Sequence, residues 1–357
     1  MTDIFTNGNV PIYSLCVRYN ELKNIINQEY RDYSNVDSIV VFIDMNSALK
    51  SYFKGTQYSF DNYYDIVSGF INICAHYRQF FKSRFGTYCY LHLVYSDITS
   101  KKIGSMFYEK YSSKLNLSDA RMVKMVEDNI KLLEILVPYL PWIQFTKTTQ
   151  FETGVMIYDI IQKEYNAGSR YPNLVVTKDR YNFQLCSNEM DVRILRPVKN
   201  KSEDNSYAVN SNSVITSILW QYTNDTSLVN TTLSGDLLSA LYALSRLPDK
   251  NISSYVAIKK AYEILSSAVI DGAIPNAQIV DMQYIADTIL RKYYPKIDGY
   301  IVGERYKAIN LYHNHSIMSN TSEKNTYQGF INLIDDNTVK EINNKFFVNN
   351  PLDLNAL

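Results

Sequence analysis

Ser38-Ile39-Val40-Val41-Phe42-Ile43-Asp44 is an unbroken apolar run held between a serine and a carboxylate. A run of this kind, without polar alternation, reads as a strand buried on both faces, as in a parallel sheet. Working outward, the pattern returns. Tyr90-Leu91-His92-Leu93-Val94-Tyr95-Ser96 ends at Asp97, and Asn173-Leu174-Val175-Val176-Thr177 leads to Asp179. Trp142-Ile143-Gln144-Phe145 precedes Glu152, and Leu233-Ser234-Gly235 precedes Asp236. In open α/β sheets, ligands gather outside the carboxyl ends of the strands. Carboxylates meeting there repel one another and call for a hard cation, Mg²⁺ or Mn²⁺. A carboxylate-held metal pair is a device for phosphodiester hydrolysis.

Between these runs the spacing is helical. The preceding segment, 12–35, places Leu15, Leu22, Ile25 and Ile26 on one face. Residues 61–84 carry Ile66, Val67, Phe70, Ile73, Cys74, Tyr77, Phe80 and Phe81 at helical intervals. Residues 119–138 follow capping residues Ser118 and Asp119 and end near Pro138. A further helix runs from Glu152 to about 165 and stops at Asn166-Ala167-Gly168. After the strand at 173–177 come a short helix and a strand at 191–195. Strand and helix alternate, which predicts a parallel sheet with right-handed crossovers. The polar loop 199–206 marks an edge, and beyond it helices are predicted at 211–222, 236–247, 254–268 and 278–294. The predicted organisation is an N-terminal helical extension (1–35), an α/β core (36–198), a helical region (199–300) and a tail packing on the core (301–357).

The 357 residues carry 36 basic and 36 acidic side chains, which disfavours a general nucleic-acid coat but leaves room for a local basic face. Cys16, Cys74, Cys89 and Cys186 are widely spaced with no CxxC, which fits a reducing, cytoplasmic setting and argues against a zinc ribbon. His313 and His315 read as surface residues of a loop. No apolar stretch approaches the roughly 20 residues of a membrane span, and Met1 to Pro11 has no signal-peptide pattern. With 31 tyrosines and 12 glycines, the composition suggests an AT-rich, viral or phage genome.

Taken in order, the acids resemble those of the flap endonuclease and 5′→3′ exonuclease family, with a pattern close to the ribonuclease H of T-even phages. The likeness covers roughly residues 36–270. The family's opening Ile-Asp strand corresponds to Ile43-Asp44, and its second Asp, followed by a basic aromatic segment, to Asp97 with Lys101, Lys102, Lys110 and Lys114. Its Glu-Ala-Asp-Asp corresponds to Glu152-Thr153-Gly154-Val155. Its Asp-x-Asp before Gln-Leu corresponds to Asp179-Arg180-Tyr181 before Gln184-Leu185. Its Gly-Asp-x-x-Asp-Asn corresponds to Gly235-Asp236-Leu237-Leu238-Ser239-Ala240. One acid survives in each cluster. Gly154, Val155, Tyr181 and Ser239 stand where companions are missing, and residues 241–256 lack the glycines of a helix–hairpin–helix.

The resemblance implies a metal-dependent 5′-nuclease acting on DNA or an RNA–DNA hybrid, in DNA replication. It implies metal ligation by Asp44, Asp97, Glu152, Asp179 and Asp236, with catalysis by Asp44 and Glu152 and phosphate held by Lys101 or Lys102. It also implies nucleic-acid contacts from Lys101, Lys102, Lys110, Lys114, Lys259 and Lys260. Loss of four acids predicts at most one Mg²⁺ or Mn²⁺ and weakened or lost hydrolysis. The alternative is an inactive relative serving as a nucleic-acid-binding or assembly protein of a virus, with a viral replication or assembly protein as partner. Each acid also has a plainer reading. Asp44 and Asp236 suit helix capping and Asp97 a capped turn. Glu152 suits the first turn of a helix, and Asp179 a salt bridge to Lys178 or Arg180.

Overall fold

The computed structural model describes residues 15–29, 36–54, 63–107, 117, 119–140, 142–197, 207–209, 236–245, 258–270, 285–320, 326–328 and 344. Five strands form its parallel centre: β1 (Ser38–Asp44), β2 (Tyr88–Ser96), β3 (Ile143–Thr148), β4 (Asn173–Val176) and β5 (Val192–Arg196). Short strands β6 (Tyr207–Val209) and β7 (Thr326–Gln328) pair antiparallel at the two edges, giving the order β6-β5-β4-β1-β2-β3-β7. The three apolar runs expected to be parallel neighbours are so: β1 lies between β2 and β4, with Asp44 opposite Val94 and Ile43 opposite Val176.

From β1 the chain adds strands first on one side (β2, β3) and then on the other (β4, β5). The crevice between the carboxyl ends of β1 and β4 is therefore the topological switch point, where α/β sheets bind ligands. Asp44 stands there.

One sheet face, with Ile39, Val41 and Ile43, packs against α1 (Tyr19–Glu29), α2 (Met45–Lys54), α3 (Asp65–Phe85) and α4 (Ala120–Leu136). α3 ends where Gly86 takes φ 69°, a left-handed cap that glycine adopts without Cβ strain. The other face, with Phe42, Val94 and Val175, packs against α5 (Thr153–Asn166) and the C-terminal helices. These are α6 (Asp236–Leu244), α7 (Ile258–Ile270), α8 (Gly299–Ile309) and α9 (Leu311–Ser319). The buried guanidinium of Arg305 on α8 donates to the carbonyls of Tyr242 (3.3 Å), Ala243 (2.8 Å) and Ser245 (2.9 Å). A cation at the C-terminus of α6 satisfies carbonyls that the helix cannot and complements its dipole.

Several sequence expectations change. The first helix is 19–29 within the longer span expected, and α2 was not anticipated. The expected helix at 211–222 lies outside the described residues. His313 and His315 are on α9, not in a loop. His313 packs edge-on to Phe107, and His315 Nε2 lies 3.2 Å from Asp159 Oδ1. All four cysteines are buried and none forms a disulfide. Among the described residues no helix is long and apolar enough to cross a membrane.

Candidate functional site

Asp44 ends β1 and begins the turn into α2, so its carboxylate is placed to cap that helix. Ser47 N donates to Oδ1 at 3.2 Å, and Ser47 Oγ donates to Oδ2 at 2.6 Å. Three further donors arrive from other elements. Thr153 Oγ1, opening α5, donates to Oδ1 at 3.0 Å. Thr177 Oγ1, just past β4, donates to Oδ2 at 2.6 Å, and Asn182 Nδ2 donates to Oδ2 at 3.0 Å. Asn182 belongs to a 3₁₀ turn, Arg180–Leu185. The carboxylate is 1% exposed and receives five hydrogen bonds, all from neutral groups.

Burial pushes the Asp44 carboxyl above its ordinary pKa. Hydrogen bonds from Ser47 and Thr177 and the charge of Lys50 pull the other way, and the charge of Asp179 adds to the rise. Burial thus works against the charged form, and the donors gathered around the carboxylate work for it.

The rest of the carboxyl edge is stitched in the same manner. Asn46 bridges to the backbone of Ser96, accepting from its N (2.9 Å) and donating to its O (2.7 Å). Ser96 Oγ donates to Phe151 O at 2.5 Å. Lys102 is buried, and its ammonium donates to the carbonyls of Asp97 and Thr149, each at 2.6 Å. Its charge thus joins the ends of β2 and β3, where the resemblance implied a phosphate clamp.

The other expected ligands are placed as follows. Asp97 closes a turn, accepting from Thr99 N (2.8 Å) and Thr99 Oγ1 (2.7 Å). Partial burial works to raise its pKa, but the Thr99 bonds and Lys102 together hold it below the ordinary value. Glu152 is the N-cap residue of α5, with no side-chain capping bond to that helix. Asp179 caps the 3₁₀ turn through Tyr181 N (3.0 Å) and pairs with Lys50 at 3.7 Å; the expectation of an ion pair named Lys178 or Arg180 instead. Asp236 is the first residue of α6. Among the described residues, no three His, Cys, Asp or Glu side chains gather so as to hold a metal ion. Lys101 is exposed, as are Lys259 and Lys260, the latter paired with Glu263 at 2.9 Å. Lys110 and Lys114 lie outside the described residues.

The four positions of missing acids have neutral occupants with partners of their own. A Cβ at Gly154 would lie 2.2 Å from Asn182 Oδ1, so the close approach needs glycine. Val155 is buried, and Tyr181 meets the Tyr242 ring edge-on at 5.6 Å. Ser239 Oγ donates to Gln184 Oε1 at 2.6 Å. Sequence reasoning missed Ser47, Thr153, Thr177 and Asn182. The available signal was a serine three residues after Asp44, in capping position, and a hydroxyl directly after the β4 run.

A second buried carboxylate, Asp159 on α5, receives Lys163 Nζ at 2.7 Å and lies 3.2 Å from His315 Nε2. Burial opposes its ionisation, but these two partners hold its pKa below the ordinary value. A depressed folded pKa adds stability that is full above the unfolded value of about 4 and is lost as pH falls through the folded one. Asp159→Asn is therefore expected to cost about 1–2 kcal/mol at pH 7. In paired urea titrations the gap from wild type should shrink below about pH 4. A gap constant from pH 7 to pH 3 would show that ionisation is not its source.

No protein-family model matches the chain, and no curated protein matches it. Solved structures of flap endonucleases and 5′-exonucleases do. Bacteriophage T5 5′-exonuclease with bound zinc is 12% identical, with a TM-score of 0.41, over 79% of this chain and 89% of that one. A T5 flap endonuclease complex with DNA and metal ions is 12% identical, TM-score 0.41, over 78% and 88%. Human GEN1 bound to Holliday junction DNA is 12% identical, TM-score 0.46, over 88% and 69%. At this level the likeness concerns the course of the chain alone.

Proposed function

We propose that this chain is a nucleic-acid-binding relative of the 5′-nucleases in which metal-dependent hydrolysis is weakened or lost. The observation that carries the reading is the Asp44 carboxylate, whose two oxygens accept five hydrogen bonds in a buried cage. Two-metal hydrolysis needs anionic oxygens free to hold cations about 3.5–4 Å apart. Oxygens of Asp44, Asp97 and Asp179 accept from N–H and O–H donors instead, which supports a reading without that metal pair. The chain's own residues hold the sheet edge closed and leave Lys101 exposed beside it, a side chain suited to phosphate.

The test pairs two assays on the full chain. With Mn²⁺, flapped DNA and an RNA–DNA hybrid are expected to remain uncut. Binding to the same substrates should weaken as salt rises, and Lys101→Ala should reduce the salt slope by about one. Steady turnover abolished by Glu152→Gln would overturn the loss of catalysis. Absence of salt-dependent binding would remove the nucleic-acid role and leave a partner-binding one.

A further inference from the structure

Where the last turns of α5 pass the amino halves of the strands, they stand off the sheet and leave a cavity of about 250 Å³. It lies towards the opposite end of β1 from Asp44. Its floor is two cross-strand rows: Val40 beside Tyr90, then Phe42 beside His92 and Gln144. The Phe42 and His92 rings stack, with centroids 5.3 Å apart and planes at 18°. His92 Nε2 lies 2.8 Å from Thr146 Oγ1, and burial pushes its pKa down to about 3. The floor is thus largely apolar and uncharged at neutral pH, with the Phe42–His92 pair at its base. Ile160, Ile161 and Tyr165 of α5 form a wall, and half-exposed Tyr171 stands at the mouth.

The lip is acidic. Glu164, Glu189 and Asp191 line it, and among the described residues no lysine does. Asp191 takes φ 47° in the turn before β5 and pairs with Arg193 at 2.5 Å. Glu189 accepts from the Tyr165 hydroxyl at 3.2 Å. The guanidinium of Arg170 lies over the Tyr165 ring at 4.1 Å and donates to the carbonyls of Tyr165 and Ser169. Its charge offsets part of the lip's, but the three carboxylates of Glu164, Glu189 and Asp191 outnumber it. Ligand sites usually measure about 300–1,000 Å³, so this one suits a small molecule. Aromatic faces and a negative rim select a flat ring system bearing a positive or donor nitrogen.

We propose that this cavity binds a flat one- or two-ring aromatic amine, held among Tyr90, Tyr165 and Tyr171 with its nitrogen towards Glu164 and Glu189. The same rim rejects ring systems that carry a carboxylate or phosphate. The site is separate from the nucleic-acid reading and stands or falls without it.

Calorimetric titration of the full chain with tryptamine and 2-aminobenzimidazole, against indole-3-acetate, tests the proposal. Both amines are expected to bind, with indole-3-acetate about tenfold weaker or more, because its charge is opposite beside two carboxylates. Glu164→Gln combined with Glu189→Gln should reduce that preference to about threefold or less. Tyr171→Ala should weaken all three probes. These three side chains are on the surface, so circular dichroism should find the variants folded. Failure of both amines to bind at about millimolar concentration, equal binding of the acid, or a preference that survives the double variant would overturn the proposal.

Discussion

Asp44→Ala is expected to destabilise the fold by about 3–5 kcal/mol, read as a lower urea midpoint with unchanged slope. Ser47 N, Thr153 Oγ1, Thr177 Oγ1 and Asn182 Nδ2 all donate to this side chain and would be left in a dry pocket. An unsatisfied buried polar group costs about 1–3 kcal/mol, although the hydroxyls can turn to other acceptors. Asp44→Asn keeps the volume and one acceptor oxygen, so it should fall between alanine and wild type. Its deficit should narrow at high pH. The folded pKa of Asp44 is raised, so this group's contribution is full below its unfolded value and falls as pH climbs through the folded one. A working metal-ligand cluster behaves in the opposite way, because removing one of several crowded carboxylates relieves repulsion. If Asp44→Ala were as stable as wild type or more so, the cage would not be structural.

Gln184→Leu is expected to cost about 2–4 kcal/mol and to loosen the C-terminal helices first. Gln184 is buried and fully used. Its Nε2 donates to Tyr181 O (3.0 Å) and Ile309 O (2.9 Å), while Oε1 accepts from Ser239 Oγ (2.6 Å) and Leu311 N (3.0 Å). One amide thus ties the turn after β4 to α6 and to the junction of α8 and α9. Leucine fills the space but leaves the Ile309 carbonyl and the Leu311 N–H without their partner. Limited proteolysis should cut the variant within 299–320 while 38–176 stays protected. Uniform protection across both regions would show that the amide does not couple them.

The central strands were legible because β1, β2 and β4 are apolar on both faces, a pattern that few other structures produce. The edge strands were not, since β6 and β7 are three residues each, too short to carry a pattern. The segment 311–319 mixes histidine, asparagine and serine, which weakens its helical signal, so His313 and His315 read as loop. At the site, the order of the acids placed Asp44, Glu152 and Asp179 at one sheet edge. What surrounds them was hidden, because hydroxyl and amide donors to a carboxylate follow no period. The partners of Lys102 were hidden for a related reason. A lysine in a charged segment reads as solvated, and only the fold reveals the two carbonyls that receive it.

The contact between Gly154 and Asn182 couples two positions far apart in the sequence. A carboxylate returned to position 154 would arrive on Asn182 Oδ1, where even a methyl carbon has only 2.2 Å. Shortening Asn182 first would open that space, but Asp44 would then lose a donor and the intermediate would be less stable. Each single change therefore carries a cost that the paired change avoids. The two positions behave as one unit: what position 154 can hold is decided by the length of the side chain at 182.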